Sequence, residues 1–566
     1  MSEAVATNAP SVSARQQAGK SARLGQRSPW WRGAVIYQIY PRSFFDANDD
    51  GIGDLRGIVE KLDYVASLGI DAVWVSPFFR SPMKDFGYDV SDYRSVDPIF
   101  GNLADFDALI DAAHQRGLKV IIDQVLSHSS DEHAWFKASR RDCDNAYANW
   151  YVWADPKPDG TPPNNWLSIF GGSAWQWESR REQYYLHNFL TSQPDLNYHE
   201  PEVVERMLGE LRFWLERGVD GFRLDAINFC YHDRELRDNP AKPEAARRGR
   251  GFRTDNPYAW QRHIFDNTRP ENIKFLERIR DLCNEYGEIA TLGEVTSEDP
   301  VATMLDYTRG DSRLHMAYNF ELLVDEFSLD HIRDAVEDQE RNGAECWPCR
   351  AIGNHDVTRV ATRWANGETS PDRAKLLNAL LLTLRGTVCT YQGEELGLTE
   401  ATISREQVRD PYGIAFWPNF KGRDGCRTPL PWSRDDAAAG FSTAEPWLPT
   451  PPEHREHAIT EQEEDDDSVL NAYRVFVQWR REHAALRWGS IEFLDAPEHT
   501  LLLRRSIDGE ALLCAFNFQR VDAVIELDPA MQLTSLRGFG LSEGTLNNSA
   551  LTLPGYGAAF LRVADA

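Results

Sequence analysis

Positive charge, long apolar runs and any ordered spacing of cysteines are what this sequence is short of. Lysine and arginine number 61 against 88 aspartate and glutamate, a net charge of −27. A surface this acidic repels phosphate backbones and anionic headgroups, which excludes nucleic acid and membrane surfaces as partners. Apolar runs such as residues 379–382 fall far short of the ~20 residues a membrane-spanning helix needs. Eight cysteines follow no framework spacing, and a chain of 566 residues needs no disulfide staples. Reduced thiols in the cytoplasm are expected. Cys346 and Cys349 do form a Cys-x-x-Cys pair, but it runs straight into strand-like sequence with no second ligand pair nearby, so it reads as structural. Residues 1–28 are rich in Ala, Ser, Gln and Arg and lack the apolar core of a secretory signal, and a disordered extension is expected there.

What the sequence has is alternation. Eight short strand-like runs recur at residues 35–39, 72–75, 119–125, 221–226, 290–295, 315–319, 350–353 and 388–392. Polar loops and mostly helical sequence follow each of them. That rhythm predicts an α/β fold with a parallel sheet wrapped by helices, and eight units suggest a (β/α)8 TIM barrel. Residues 202–217 carry apolar side chains at helical spacing and stop at Gly218. The barrel is expected over 29–126 and 199–488. It is interrupted after the third strand by an irregular subdomain, 127–198, dense in Trp, Tyr, Asn, Gly and Pro. A long polar stretch, 231–272, reads as a large loop over the barrel mouth. The acidic run 461–467 reads as a solvated linker before a helix near Ser468. From residue 489 to 566 the texture turns to alternating strands, which implies a C-terminal β-sandwich.

Three isolated carboxylates close strand-like runs: Asp225 in Gly-Phe-Arg-Leu-Asp, Glu294 in Thr-Leu-Gly-Glu and Asp356 in Gly-Asn-His-Asp. All three would project at the C-terminal face, where such barrels build their sites. Cleavage of a glycosidic bond needs one carboxylate at the anomeric carbon and one carboxylic acid to protonate the leaving oxygen, so the set suffices. Arg223, two residues before Asp225, shares its strand face and can hold it ionised. His128 and His355 can donate hydrogen bonds to sugar hydroxyls. The 18 Trp and 19 Tyr offer flat faces for sugar rings, although most are expected in the core.

The motifs Asp123-Gln-Val-Leu-Ser-His128, Gly221-Phe-Arg-Leu-Asp225, Gly293-Glu294, Asn354-His-Asp356 and Gln193-Pro-Asp-Leu-Asn197 occur in this chain. Together they resemble the α-amylase-type glycoside hydrolases, family 13, and within them the α-glucosidase and oligo-1,6-glucosidase group. The resemblance spans roughly residues 30 to 566. It implies Asp225 as nucleophile, Glu294 as general acid/base and Asp356 as the carboxylate that stabilises the transition state. It also implies retention through a covalent glucosyl-enzyme, resolved by water or by an alcohol or sugar acceptor. Asp85 and Tyr88 match the family's carboxylate and stacking tyrosine at the terminal glucose, and Arg427 matches its basic partner. Such a clamp would satisfy the terminal hydroxyls and make the action exo. Phe170 resembles the aromatic wall lent by the inserted subdomain.

Ala226, after the nucleophile, departs from the Val of relatives that cleave α-1,6 bonds, which favours α-1,4 substrates such as maltose. The loop Asp46, Asn48, Asp50, Ile52, Asp54 places oxygen donors at alternate positions around Gly51 and Gly53. It resembles the start of an EF-hand loop and predicts one structural Ca²⁺ or Mg²⁺. Ser127 stands where amylases carry a calcium-binding Asn, so no second metal is expected. The loop 231–272 is expected to limit the pocket to disaccharides. A sucrose-isomerising or other transglucosylase, an α-1,6-glucosidase and a non-catalytic transporter-associated relative are the alternatives, and a monomer or a homodimer is compatible.

Overall fold

The computed structural model describes residues 28–247, 254–365, 367 and 369–564. Apart from Ser28, the expected N-terminal extension lies outside them. Eight parallel strands make one sheet: β1 (Val35–Ile39), β2 (Ala72–Val75), β3 (Lys119–Val125), β4 (Gly221–Asp225), β5 (Ala290–Val295), β6 (Met316–Asn319), β7 (Cys349–Arg350) and β8 (Thr387–Tyr391). Their spatial order, β6-β5-β4-β3-β2-β1-β8-β7, follows the chain around a circle. A parallel bridge between Ala317 and Pro348 joins the two ends. The result is a (β/α)8 barrel.

Alternation along each strand sorts its side chains into two cores. Ile36, Ala72, Trp74, Ile121, Ala290, Leu292, Met316 and Cys389 fill the barrel interior. Their neighbours Val35, Tyr37, Val73, Val120, Phe222 and Leu224 face outward and pack under the helices. The same parity turns Asp123, Arg223, Asp225, Glu294 and Tyr318 inward at the C-terminal ends of β3 to β6. The helices of the outer ring include Leu103–Gln115, Pro201–Leu215 and Asn272–Asn284. The first of these starts in a capping box between Asn102 and Asp105. The helix expected over 202–217 runs over Pro201–Leu215, and Gly218 leaves it at a φ of +90°.

Segment 127–198 is more regular than its composition suggests. It carries the helix Ala134–Ser139 and a three-stranded antiparallel sheet with Gln183–Leu186 between Trp153–Ala154 and Trp175–Glu178. Bridges from His128 to Asp195 and from Tyr151 to Leu196 fold it back on the mouth of the barrel. The described part of 231–272 lies against it. Asn165 and Asn239 exchange hydrogen bonds of 2.8 and 2.9 Å, and the Asn256 amide donates to the Ile169 carbonyl at 2.8 Å.

Two expectations need correction. Only Cys349–Arg350 pair in the seventh strand, where 350–353 was expected; Asp356 stands in the loop beyond, its N–H held by the Asn354 side chain at 2.9 Å. Nor is the run 461–467 a bare linker. Ile459–Glu463 is helical, and Glu463 and Asp467 pair with Arg474 and Lys375 at 2.7 and 2.8 Å, because basic side chains of the neighbouring helices face it. Ser468 then caps the helix Val469–Arg481.

The C-terminal domain is two antiparallel sheets: β9 (Ser490–Leu494), β10 (Thr500–Ile507), β11 (Glu510–Asn517), β16 (Ala558–Val563) and β13 (Leu533–Ser535) in one, and β12 (Ala523–Glu526), β15 (Ala550–Leu553) and β14 (Thr545–Asn547) in the other. Leu502, Leu513, Ile525, Leu551 and Leu561 fill the space between them. Fully buried Arg505 donates to the carbonyls of Thr383 and Gly489, tying this sandwich to the barrel. All eight cysteines are free, and no helix of the described residues is long and apolar enough to cross a membrane.

The turn that delivers Asp356 is tightly packed. A methyl group at Gly353 would overlap the buried Glu394 carboxylate, which is anchored by the Tyr391 N–H at 3.0 Å. Gly353→Ala is therefore expected to cost about 1–3 kcal/mol and to lower activity with it. Thermal unfolding of the variant beside the parent measures the first effect.

Candidate active site

The C-terminal ends of the barrel strands open into a cavity lined by Asp225, Glu294 and Asp356 together with Asp85, Tyr88 and His128. Phe170 and Phe189 from the insert, Phe229 from the loop after β4, and Tyr412 make its aromatic walls. Phe170 lies 5.1 Å from Tyr412 and 6.1 Å from Phe189, ring to ring. The wall is thus assembled from three separate segments.

At its floor stands Arg223, with no exposed surface. One guanidinium serves three acids. Its Nη1 donates to Asp225 at 2.5 Å and to both oxygens of Asp123 at 2.8 and 3.0 Å, while Nη2 reaches Glu294 Oε2 at 2.7 Å and the Tyr318 hydroxyl at 2.8 Å. Burial raises the pKa of Asp225 and Glu294, each to about 7, against the pull of Arg223. Three carboxyls facing one cation do not all ionise readily in so dry a place, and the set holds a proton near neutrality.

Ala226, directly after the nucleophile candidate, sits in the left-handed region at φ 41°, ψ 43°. That conformation is strained for a residue with a Cβ. It turns the Ala226 N–H to Glu294 Oε2 at 3.0 Å, so the backbone after one candidate residue positions the other.

Asp356 is handled differently. Burial opposes its ionisation, but His355, Arg423 and Arg427 outweigh it and hold the carboxyl below its usual range. Its Oδ1 accepts from Arg427 Nη2 at 2.9 Å and Arg423 Nη1 at 3.1 Å. This site therefore carries one firmly ionised acid beside two that share a proton.

The clamp differs from expectation. Asp85 pairs with Arg423 Nη2 at 2.8 Å and accepts from Gln193 Nε2 at 3.0 Å. Arg427 lies behind Asp356 with its Nε on the His355 carbonyl at 2.7 Å. Three residues separate the two arginines, and the 3-10 turn Asp424–Cys426 that they form sends one into the cavity and one beneath it. Asp410 holds Arg423 from the far side at 2.7 Å. The basic partner at the closed end is thus Arg423.

His355, expected to donate to sugar hydroxyls, and Arg223, expected to hold Asp225, both lie under the cavity surface, so neither is placed to bind sugar. Gln38 Nε2 donates to His355 Nδ1 at 2.7 Å, which leaves Nε2–H facing the Tyr88 oxygen at 2.6 Å. The Tyr88 hydroxyl donates on to Asp123 at 3.1 Å. The Tyr88 and His355 rings stack at 5.4 Å. His128 does line the cavity, held between the Ser127 hydroxyl at 3.0 Å and the Tyr88 carbonyl at 3.1 Å. Burial depresses His128 to about 4 and His355 to about 3, so both are neutral donors at neutral pH.

Arg423, Phe189, Phe229, Tyr412, Thr296 and Tyr318 went unread in the sequence. Arg423 had a signal, a second arginine in Arg-Asp-Gly-Cys-Arg, while an isolated aromatic such as Phe229 offers none. Asp123 and Gln193 stood inside motifs already quoted.

Far from the cavity, the 46–54 loop curls around its own side chains. Asp46 Oδ1 accepts from the N–H groups of Asn48 and Asp49 at 3.0 and 2.8 Å, and its Oδ2 from Gly51 and the Ser442 hydroxyl at 2.7 and 2.6 Å. Asn48 and Asp50 accept from Asp50 and Ile52 at 3.1 and 2.9 Å. Asp54 caps the helix Leu55–Glu60 through Gly57 at 2.8 Å. Burial and the neighbouring Asp46 charge push the Asp54 carboxyl up. Among the described residues no three Asp, Glu, His or Cys side chains converge as a metal cage. What the loop offers is a mixed set of oxygen donors, with lone pairs to spare on Asn48, Asp50 and Asp54, and that chemistry fits a hard cation.

An eight-stranded barrel, an insert closing over its mouth and paired buried carboxyls facing an aromatic cavity together define a glycoside hydrolase. Residues 38–489 match the family model described as alpha amylase, catalytic domain. The chain belongs to that family, glycoside hydrolase family 13, in its α-glucosidase and oligo-1,6-glucosidase group. It is 55% identical over 539 residues to a protein of Rhizobium meliloti (strain 1021) described as a probable alpha-glucosidase, covering 94% of this chain and 97% of that one. An oligo-1,6-glucosidase of Heyndrickxia coagulans is 38% identical over 526 residues, 86% of this chain and 92% of its own. The crystal structure of an alpha-glucosyl transfer enzyme, XgtA, superposes with a TM-score of 0.93 at 57% identity, covering 95% of this chain and all of the other.

With Asp225 attacking and Glu294 donating a proton, kcat/KM for an α-glucoside should follow a narrow bell centred near pH 7. The acid limb rises as Asp225 ionises, from about 7, and the alkaline limb falls as Glu294 loses its proton, also from about 7. A rate profile from pH 5 to 9 checks both limbs.

Proposed function

We propose that this chain is a retaining, exo-acting α-glucosidase that releases α-glucose from the non-reducing end of short α-1,4-glucosides such as maltose. The carrying observation is that one buried guanidinium binds Asp225 and Glu294 at once, at 2.5 and 2.7 Å. Such a bridge suits the ~5–5.5 Å carboxyl spacing of retaining enzymes better than the ~6.5–9.5 Å of inverting ones. Asp225 attacks the anomeric carbon while Glu294 protonates the departing oxygen. The same Glu294, now a carboxylate, takes a proton from the acceptor that resolves the glucosyl-enzyme. Ionised Asp356 favours the positive charge that develops on the sugar ring. Asp85 and Arg423 close the far end, which leaves no room for sugars beyond the terminal glucose.

Small Ala226 beside Asp225 supports α-1,4 preference, and the described part of 231–272, packed on the insert that supplies Phe170 and Phe189 to the cavity, supports disaccharides over longer chains. Similarity to an alpha-glucosyl transfer enzyme favours a second outcome at the same site, transfer of the glucosyl group to an alcohol or sugar hydroxyl instead of water. Product analysis with maltose alone and with an added alcohol separates the two.

Asp225→Asn should reduce hydrolysis of an aryl α-glucoside by about four orders of magnitude or more; undiminished turnover overturns the mechanism. Maltohexaose should be cleaved with about a tenth or less of the kcat/KM of maltose.

The 46–54 loop would hold Ca²⁺ or Mg²⁺ through Asp46, Asn48, Asp50, the Ile52 carbonyl and Asp54, and the cation would neutralise the buried acids of the loop. Treatment with EDTA should then lower the melting temperature, and adding back either ion should restore it. An unchanged melting temperature removes the metal.

A further inference from the structure

Tyr318 stands on β6 with its hydroxyl between Arg223 and Glu294, and nothing in the reaction outlined above uses it. It is 3% exposed and does not line the cavity, so it cannot bind sugar itself. The direction of its hydrogen bonds is settled by its neighbours. A guanidinium only donates, so the phenol oxygen accepts from Arg223 Nη2 at 2.8 Å, and its own hydrogen goes to Glu294 Oε1 at 3.0 Å.

The other carboxyl oxygen, Oε2, already faces Arg223 Nη2 at 2.7 Å as an ion pair and accepts from the Ala226 N–H at 3.0 Å. A proton on Glu294 therefore sits on Oε1, where Tyr318 occupies one lone pair and leaves the other for it. When that proton passes to the glycosidic oxygen, the C1–O bond breaks and the Asp225 oxygen bonds to C1. Glu294 Oε1 then becomes anionic, and the Tyr318 bond changes from a weak contact with a protonated acid into a charge-assisted hydrogen bond. An interaction that strengthens as the proton leaves lowers the barrier.

From this geometry we propose that Tyr318 is a positioning residue for the acid/base: it confines the Glu294 proton to the free side of Oε1 and stabilises the carboxylate left after proton transfer. The proposal rests on Glu294 being the acid/base. The charged groups facing Glu294 are Arg223 and Asp225 on β4, Asp123 on β3 and Asp356 after β7; of these Arg223 also loses an acceptor when the Tyr318 hydroxyl is removed, while it keeps its three carboxylate partners.

The test is Tyr318→Phe, which keeps the ring and its packing against Trp74. A hydrogen bond to a charged group is worth roughly a factor of ten. Maltose, whose sugar leaving group depends on protonation, should lose about tenfold in kcat/KM. 4-Nitrophenyl α-glucoside, whose leaving group departs with little help, should lose less than about twofold. Without the donor the Glu294 carboxylate is less favoured, its pKa rises, and the alkaline limb moves up by about one pH unit. Equal losses on both substrates with an unmoved limb, or no loss at all in a variant with the parent's melting temperature, overturn the proposal. Glu294→Gln is the control: full activity on maltose in that variant removes the acid/base assignment itself, which the Tyr318 variant alone does not address.

Discussion

The buried guanidinium of Arg223 is the interaction on which the site depends. Taking such an ion out of water costs several kcal/mol after relaxation, and the cost is offset only where opposite charges and hydrogen bonds surround it. Asp123, Asp225 and Glu294 do so here, each within 2.8 Å, with the Tyr318 oxygen at the same range. The dependence is mutual. Without Arg223 three buried acids would repel one another; without the acids a lone cation would lie in the centre of an apolar barrel.

That arrangement explains how one cavity holds carboxyls in different states. Asp123, Asp225, Glu294, Asp356, Asp85 and Asp410 surround Arg223, Arg423 and Arg427. The acids outnumber the cations two to one, an excess that suits the positive charge an oxocarbenium-like transition state would develop. The cations are unevenly shared. Asp356 faces two guanidiniums, Arg427 and the Arg423 it shares with Asp85 and Asp410, and stays ionised, whereas Asp225 and Glu294 share a single one with Asp123 and retain a proton. The backbone contributes as well: the left-handed turn at Ala226 aims an N–H across to Glu294, which ties the positions of Asp225 and Glu294 together.

Much of this was readable along the chain. Parity in Gly221-Phe-Arg-Leu-Asp225 is enough to place Arg223 and Asp225 on one face, because side chains alternate along a strand whatever it packs against. The eight-fold rhythm of strand and helix likewise carries the barrel, and the closed-off stretch after β3 carries the insert. Where the reading failed, it failed at residues whose neighbours come from elsewhere. Asp356 was read as a strand end and stands in a loop. Arg427 was read as the partner of Asp85, although a single 3-10 turn hands that place to Arg423.

By itself, then, the amino-acid order determined the barrel, the succession of its parts and which three carboxyls meet at the cavity, since each follows from local periodicity or from a contiguous motif. Tertiary structure alone decided which arginine closes the pocket, that His355 supports Tyr88 from behind, and that a hydroxyl on β6 meets a carboxyl on β5. Those contacts join segments up to 338 residues apart, and no pattern in the intervening chain encodes a distance between side chains that only folding brings together.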